Sequence, residues 1–188
     1  MRIGILALQG GFQAHRAKLE SLGVDVVEVR LPKHLDPCDG LILPGGESTT
    51  MLKLIHAYDL WSPLQTYAAQ KRPILGTCAG AILMVEKVNF KGQESFGWIP
   101  ATINRNAYGS QVVSFRTEVD CPLWQLEKVD AYFIRAPKFD NIGEGVAIIS
   151  SSDDGVNGLE YKHFSAVTYH PELGEENRFH QAWIQRFF

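Results

Sequence analysis

The sequence has few cysteines, and their number and spacing argue against a disulfide-stabilised scaffold and against a zinc-binding protein. Its three cysteines, Cys38, Cys78 and Cys121, are an odd number, lie far apart and include no C-x-x-C pair. Such a set suggests neither a disulfide framework nor a zinc site. We therefore expect no metal, and a reducing cytoplasm is the expected location.

The sequence also lacks an excess of either charge and lacks a long apolar run. Its 18 Lys and Arg face 21 Asp and Glu, a formal net charge of -3 without a basic stripe or an acidic tail, so nucleic acid is not an expected partner. The apolar start at residues 3–8 is too short for a signal-peptide core, and no later run reaches membrane-spanning length. We expect no membrane partner and one domain, residues 1–188, without internal repeats.

Strand-like and helix-like segments alternate through the first half of the chain. Strand-like runs lie at residues 2–8, 24–29, 40–44 and 73–75. Helical patterns lie between them at about 12–22, then after the capping residues 47–50 as far as about 58, and at 63–70, where Ser62 is the expected N-cap and Pro63 the first helical residue. This alternation is typical of a parallel sheet covered by helices on both faces. The sequence therefore predicts an α/β fold of three layers with a largely parallel central sheet.

The second half reads differently, because β-rich segments follow one another without long helical patterns. They lie at residues 98–119 and 129–135, and Asn157-Gly158 is a hairpin signal between short β-prone runs. A strand at 164–169 and an amphipathic helix from about 175 to 188 close the chain. We expect an added antiparallel β segment beside the main sheet.

The stretch Gly76-Thr77-Cys78-Ala79-Gly80 places a thiol between two glycines, after one apolar run and before another. This pattern predicts a strand, a tight turn and a helix, with a nucleophile presented at the end of the sheet. Glycine is needed on either side because a Cβ would crowd such a turn. The alternative is a buried cysteine in a glycine-containing loop.

A cysteine nucleophile needs a base and a group that orients the base, and His170-Pro171-Glu172 offers both. Alternate residues of an extended segment face the same way, so His170 and Glu172 are expected to point together toward the cysteine turn. The remaining histidines lack such neighbours and are expected as surface or helix-packing residues. They are His15, His34, His56, His163 and His180.

The Gly45-Gly46 turn is the expected oxyanion hole, because glycine lets a backbone N–H face a substrate carbonyl; Gly46 and Ala79 are the expected donors. The alternative is a phosphate-binding loop, although no accompanying phosphate motif is present. Arg135 ends an apolar strand, where a charge requires either a partner or a position at the rim, and a carboxylate ligand would serve as the partner. Arg105 is a weaker candidate of the same kind.

These segments together resemble the triad-type (class I) glutamine amidotransferases, and within them the glutaminase subunits of two-component pyridoxal 5′-phosphate synthases. The resemblance covers nearly the whole chain. The segments that carry it are Gly4 to Gly10, Leu41 to Thr50, Gly76 to Gly80, Arg105-Asn106, Phe133 to Pro137 and His170 to Leu173.

The resemblance implies that Cys78 attacks the side-chain amide of L-glutamine, that His170 shuttles the proton and that Glu172 orients His170. It implies no cofactor, and it implies a (β/α)8-barrel synthase subunit as the partner that receives ammonia for vitamin B6 synthesis. The implied glutamine contacts are Gly46, Glu47, Ser48, Arg105, Ile134 and Arg135. The chain stops at Phe188, where some relatives continue for several residues.

Two other functions compete with the glutaminase interpretation. One is a cysteine hydrolase or stress protein of a related α/β fold, and the other is a non-catalytic regulatory module.

Because free ammonia would be lost to bulk water, we expect the isolated chain to be weakly active. The Gly45-Gly46 backbone is then expected to be set by the partner near Gln9-Gly10.

Overall fold

The structure is a computed structural model, and it describes residues 1–105 and 114–188. The strands are β1 (Arg2–Leu6), β2 (Asp25–Val29), β3 (Gly40–Leu43), β4 (Ile74–Thr77), β5 (Val85–Val88), β6 (Ile99–Asn104), β7 (Ser114–Cys121), β8 (Leu126–Ile134), β9 (Lys138–Asp140), β10 (Ala147–Ser152), β11 (Gly155–Tyr161) and β12 (Phe164–Val167). The helices are α1 (Phe12–Ser21), α2 (Ser48–Ala57), α3 (Trp61–Ala69), α4 (Ala79–Met84) and α5 (Arg178–Phe187). Within the described ranges, none of the helices has both the length and the apolar character that crossing a membrane requires.

A seven-stranded sheet forms the middle of the molecule, in the order β10-β11-β12-β4-β3-β1-β2. The five strands β12, β4, β3, β1 and β2 run parallel to one another. Strands β10 and β11 extend one edge in antiparallel fashion. The predicted α/β class with a largely parallel central sheet is confirmed.

Alternate residues of the central strands supply two cores, one on each face of the sheet. In β3, Leu41 and Leu43 pack in the core that also holds α2, α3 and α4. Between them, Ile42 points the other way, into the core that holds α1 and α5. Because successive strand residues face opposite sides of a sheet, an apolar run such as this one is buried on both faces. The result is the three-layer arrangement that the sequence predicts.

Two smaller sheets make up the added β segment. Strands β7 and β8 form an antiparallel pair, and β5, β6 and β9 form a three-stranded sheet. The β7–β8 pair matters for the site, because the backbone N–H of His170 donates to the carbonyl of Tyr132 in β8 at 2.9 Å. This bridge fixes the position at which the chain leaves β12.

The hairpin predicted at Asn157-Gly158 is wrong. The turn between β10 and β11 lies at residues 153–154, and Asn157 and Gly158 are inside β11. Both residues serve close packing there: the hydroxyl of Ser150 donates to Asn157 Oδ1 at 2.6 Å, and a Cβ on Gly158 would lie 2.5 Å from Ser150 Oγ. Glycine inside a strand can mark such a close approach as well as a turn.

Two helix starts differ slightly from expectation. Helix α3 begins at Trp61, two residues before Pro63, so the prediction of Ser62 as its N-cap is wrong and Ser62 lies inside the helix. Helix α5 begins at Arg178 rather than near residue 175. Helix ends fray and lack a sharp sequence mark unless a cap defines them. The start of α2 does have such a mark, because the Glu47 carboxylate accepts hydrogen bonds from the backbone N–H groups of Thr49 and Thr50.

Candidate active site

Cys78 lies on a strained turn between β4 and α4. Its backbone has φ 48° and ψ -102°, a left-handed conformation that residues other than glycine rarely adopt. The turn is anchored because the backbone N–H of Cys78 donates to the carbonyl of Val167 at 2.8 Å. Strained backbone of this kind concentrates at functional sites.

The two flanking glycines are required by space. A Cβ on Gly80 would lie 2.0 Å from the carbonyl oxygen of Leu43, and one on Gly76 would lie 2.5 Å from the sulfur of Met84. The Met84 side chain could shift, but the Cβ on Gly76 would also lie 2.8 Å from the backbone carbonyl carbon of Gly80, so both substitutions would require the backbone to move. The strand, tight turn and helix that the sequence predicts around Cys78 are therefore present.

His170 and Glu172 come to the same point from the far end of the chain. The imidazole Nδ1 of His170 is 2.7 Å from Glu172 Oε1. The route differs from the extended segment that the sequence suggested, because residues 171–173 form a short 3-10 turn. The turn bends the carboxylate back onto the imidazole, and the Glu172 side chain is fully buried.

The electrostatics of this pair favour charged partners. Burial alone would lower the pKa of His170, but its hydrogen bonds to Cys78 and Glu172 raise the pKa to about 10. Burial alone would raise the pKa of Glu172, but His15 and His170 beside it bring the pKa down to about 2. At pH 7 the site therefore holds a carboxylate against a strongly basic imidazole, which in turn is hydrogen-bonded to Cys78.

The Gly45-Gly46 loop packs between His170 and the segment that follows β1. On one side, the backbone N–H of Gly11 donates to the carbonyl of Gly45 at 2.9 Å, and the N–H of Glu47 donates to Gln9 Oε1 at 2.8 Å. On the other side, a Cβ on Gly45 would lie 2.2 Å from His170 Cε1. The loop conformation is thus tied directly to Gln9-Gly10, the predicted partner segment.

The two candidate arginines differ in their partners. Arg105 is held by Glu47 in an ion pair, and it also donates to Thr49 Oγ1 at 2.6 Å. Burial would raise the pKa of Glu47, but hydrogen bonds from Thr50 and Thr49 lower it to about 2. Among residues 1–105 and 114–188, Arg135 makes no hydrogen bond or ion pair. Asn106, the neighbour of Arg105 in the resembling segment, lies outside the described residues.

A cavity of about 340 Å³ brings most of these residues together. Of the predicted site residues, only Ala79 does not line it, and Ala79 is buried directly after Cys78. The lining residues are Gln9, Gly10, Gly11, Gly45, Gly46, Glu47, Ser48, Cys78, Ile82, Arg105, Ile134, Arg135, His170, Glu172 and Leu173. The volume of the cavity and the chemistry of its lining residues suit a small ligand that carries a carboxylate.

Sequence reasoning missed the polar residues behind the cavity. His15 and His180, expected as surface or helix-packing residues, are fully buried. Nδ1 of His15 is 2.9 Å from Nε2 of His180. His15 Nε2 lies 3.1 Å from Thr77 Oγ1 and 3.4 Å from Glu172 Oε2. The available indication was that His15 shares the apolar side of α1 with Leu19, since a buried polar group needs a polar partner.

Within residues 1–105 and 114–188, the other cysteines and the acidic residues indicate no second reactive or metal-binding centre. Cys38 and Cys121 are buried and free, and burial raises the pKa of both thiols, to about 11 for Cys38. In the part of the chain that the structure describes, no group of three or more His, Cys, Asp or Glu side chains is placed to hold a metal ion.

Comparison with known proteins gives a consistent result. A sequence model of the SNO glutamine amidotransferase family matches residues 5–188. The pyridoxal 5'-phosphate synthase subunit PdxT of Herpetosiphon aurantiacus is 43% identical over 188 residues, which cover 98% of this chain and 99% of that protein. PdxT of Corynebacterium diphtheriae is 45% identical over 187 residues, with 98% of each chain covered. A solved structure described as a glutamine amidotransferase superposes with a TM-score of 0.91 at 36% identity, covering 97% of both chains.

Proposed function

This chain belongs to the SNO glutamine amidotransferase family, and from that premise we propose that it is the glutaminase subunit of a pyridoxal 5'-phosphate synthase. It hydrolyses L-glutamine to L-glutamate and ammonia. The observation that carries the proposal is the strained turn of Cys78 facing the His170–Glu172 pair inside a cavity of about 340 Å³. Residues 1–188 act as one glutaminase domain.

The first half-reaction makes a thioester. The Cys78 thiolate adds to the amide carbon of glutamine, and backbone N–H groups of Gly46 and Ala79 stabilise the oxyanion. The C–N bond then breaks while His170, as an imidazolium, gives its proton to the departing nitrogen. Ammonia leaves, and the glutamyl group stays on the sulfur.

The second half-reaction returns the enzyme. His170, now neutral, takes a proton from water as the water attacks the thioester carbon, and the C–S bond breaks. Glutamate leaves and the cysteine is regenerated, so the sum is glutamine plus water to glutamate plus ammonia. Glu172 keeps Nδ1 of His170 protonated and thereby keeps Nε2 available for both transfers.

Substrate recognition follows from the charges around the cavity. Arg135, which has no polar partner among the described residues, binds the substrate carboxylate. Arg105 is already paired with Glu47, so this pair acts as one hydrogen-bonding unit at the cavity wall. Gly46, Ser48 and Ile134 complete the contacts to glutamine.

The proposed partner is a (β/α)8-barrel synthase subunit that takes the ammonia directly, and neither nucleic acid nor a membrane is part of the proposal. Ile134 and Leu173 line the cavity with 37% and 43% of their surfaces exposed, which supports a protein docking at its mouth. The partner sets the Gly45-Gly46 backbone through Gln9-Gly10. The unpaired cysteines fit the proposed cytoplasmic location.

The test is glutamate release from L-glutamine, measured with and without the synthase subunit of the same organism. We expect slow release by the isolated chain, faster release in the complex and none by Cys78→Ala in the complex. Undiminished release by Cys78→Ala would refute the assigned nucleophile. Turnover of esters or peptides without any glutaminase activity would instead favour a cysteine hydrolase, for which Arg135 and Glu47 at the cavity wall have no explanation.

A further inference from the structure

A network of buried polar side chains continues from the candidate triad into the protein. Glu172 uses Oε1 for His170, and its second oxygen, Oε2, faces Nε2 of His15 at 3.4 Å. On its far side, His15 contacts His180 at 2.9 Å. The polar network therefore runs from His170 through Glu172 and His15 to His180.

This arrangement joins the two ends of the sequence. His15 is on α1 and His180 is on α5, 165 positions apart, and both side chains are completely shielded from water. Burying two imidazoles is costly unless their nitrogens find partners. Packing alone would be served by apolar residues, so the pair requires another explanation.

The protonation states follow from the surroundings. The groups that face His15 are Thr77, Glu172, His170 and His180, and those that face His180 are His15, Glu172 and Lys18. Burial lowers the pKa of His15, and burial together with His15 lowers the pKa of His180 to about 3. Both rings are therefore neutral at pH 7, and each has one N–H to place.

Only one placement of these protons suits every neighbour. With its proton on Nε2, His15 directs an N–H at Glu172 and Thr77, and its Nδ1 accepts from Nε2–H of His180. The opposite placement would set a lone pair against the carboxylate. It would also bury an N–H at Nδ1 of His180, which has no hydrogen-bond partner in the described parts of the chain.

We propose that His15, held in its tautomer by His180, is a positioning residue that fixes the Glu172 carboxylate against His170. The proposal rests on the glutaminase function proposed above. Oε2 of Glu172 is buried, and within the described ranges no hydrogen bond of ordinary geometry reaches it. The His15 N–H is thus the group that holds the second carboxylate oxygen, so that the first stays on His170.

The consequence concerns the basicity of His170. Without the His15 N–H, the buried carboxylate turns toward another donor or takes up a proton, and its hold on Nδ1 of His170 weakens. The pKa of His170 then falls toward its ordinary value. Proton transfer suffers, while glutamine binding, which uses other residues, does not.

Two variants of His15 separate this role from packing. His15→Gln can place its amide N–H where Nε2 of the imidazole lies, whereas His15→Asn keeps an amide beside His180 but is too short to reach Glu172. We would titrate histidine side chains by NMR in the full chain, assigning His170 through His170→Asn. Glutaminase kcat and KM would be measured in the complex with the synthase subunit.

We expect His15→Asn to lower the pKa of His170 by about one pH unit or more, and to lower kcat about tenfold to a hundredfold with KM nearly unchanged. His15→Gln should stay close to wild type in both measurements. Should His15→Asn fail to fold, His180→Phe has the same expected result, because it removes the donor to Nδ1 of His15.

The proposal is overturned if His170 titrates alike in all variants, or if His15→Gln and His15→Asn lower kcat equally. A wild-type complex that does not hydrolyse glutamine would refute the proposed function instead. The titration of His170 decides the positioning role separately, since it needs no turnover.

Discussion

Gly45→Ala is the smallest change that should disable the site without replacing a reacting group. The added Cβ would lie 2.2 Å from Cε1 and 2.8 Å from Nδ1 of His170. Carbon atoms in contact are normally about 3.5–4.0 Å apart, so the imidazole must move by more than about 1 Å. That movement is enough to break the 2.7 Å contact between Nδ1 of His170 and Glu172.

The magnitude follows from this displacement. A catalytic group moved by about 1 Å costs about a hundredfold in rate, and crowding one methyl into a packed site costs about 1–3 kcal/mol of stability. Gly143→Ala is the matched control. Its Cβ would lie 2.6 Å from the carbonyl oxygen of Pro100, a similar clash that is remote from the cavity.

The assay compares glutaminase kcat in the complex with the free energy of unfolding of each isolated chain. We expect both variants to lose comparable stability, and only Gly45→Ala to lose activity about a hundredfold. Wild-type turnover by Gly45→Ala, or an equal loss of turnover by Gly143→Ala, would refute the argument that His170 is placed by contact with Gly45.

Three further predictions test other parts of the account. Arg135→Gln should raise KM for glutamine about tenfold to a hundredfold with kcat little changed, because it removes a charged hydrogen bond to the substrate; a steady-state titration decides this. Gly158→Ala should destabilise the chain by about 1–3 kcal/mol in chemical denaturation and leave kcat intact, since its Cβ would meet Ser150 far from the cavity. The pKa of His180 is lowered from 6.5 to about 3, so its contribution to stability is complete above pH 6.5 and is lost as the pH falls toward 3. Between pH 6.5 and pH 3, protonation of His180 in the unfolded chain lowers the free energy of unfolding by about 1.4 kcal/mol for each pH unit. In His180→Phe, the measured pH dependence of the free energy of unfolding should be flatter by that amount.

The parts of the site that the sequence could predict are those set by short-range geometry. Gly76 and Gly80 mark the turn because a Cβ at either position meets the backbone or a packed side chain. His170 and Glu172 are two positions apart, so local conformation alone brings them together. The alternating strands and helices likewise predicted the parallel sheet, since each strand–helix pattern is complete within a few residues.

The remaining features depend on contacts between distant segments. His15 and His180 meet only because α1 and α5 pack on the same face of the sheet. Arg105 is paired with Glu47, 58 positions away, which no local pattern indicates. The turn predicted at Asn157-Gly158 is wrong because the packing of these two residues against Ser150 is a tertiary property.

The most direct measurement of the central claim is the identity of the residue that glutamine acylates. The complex with the synthase subunit is mixed with L-glutamine, quenched in acid during turnover and analysed by peptide mass mapping. We expect one glutamyl thioester, on Cys78, with none on the buried Cys38 or Cys121. Turnover without an adduct on Cys78, or an adduct on another residue, would contradict the account.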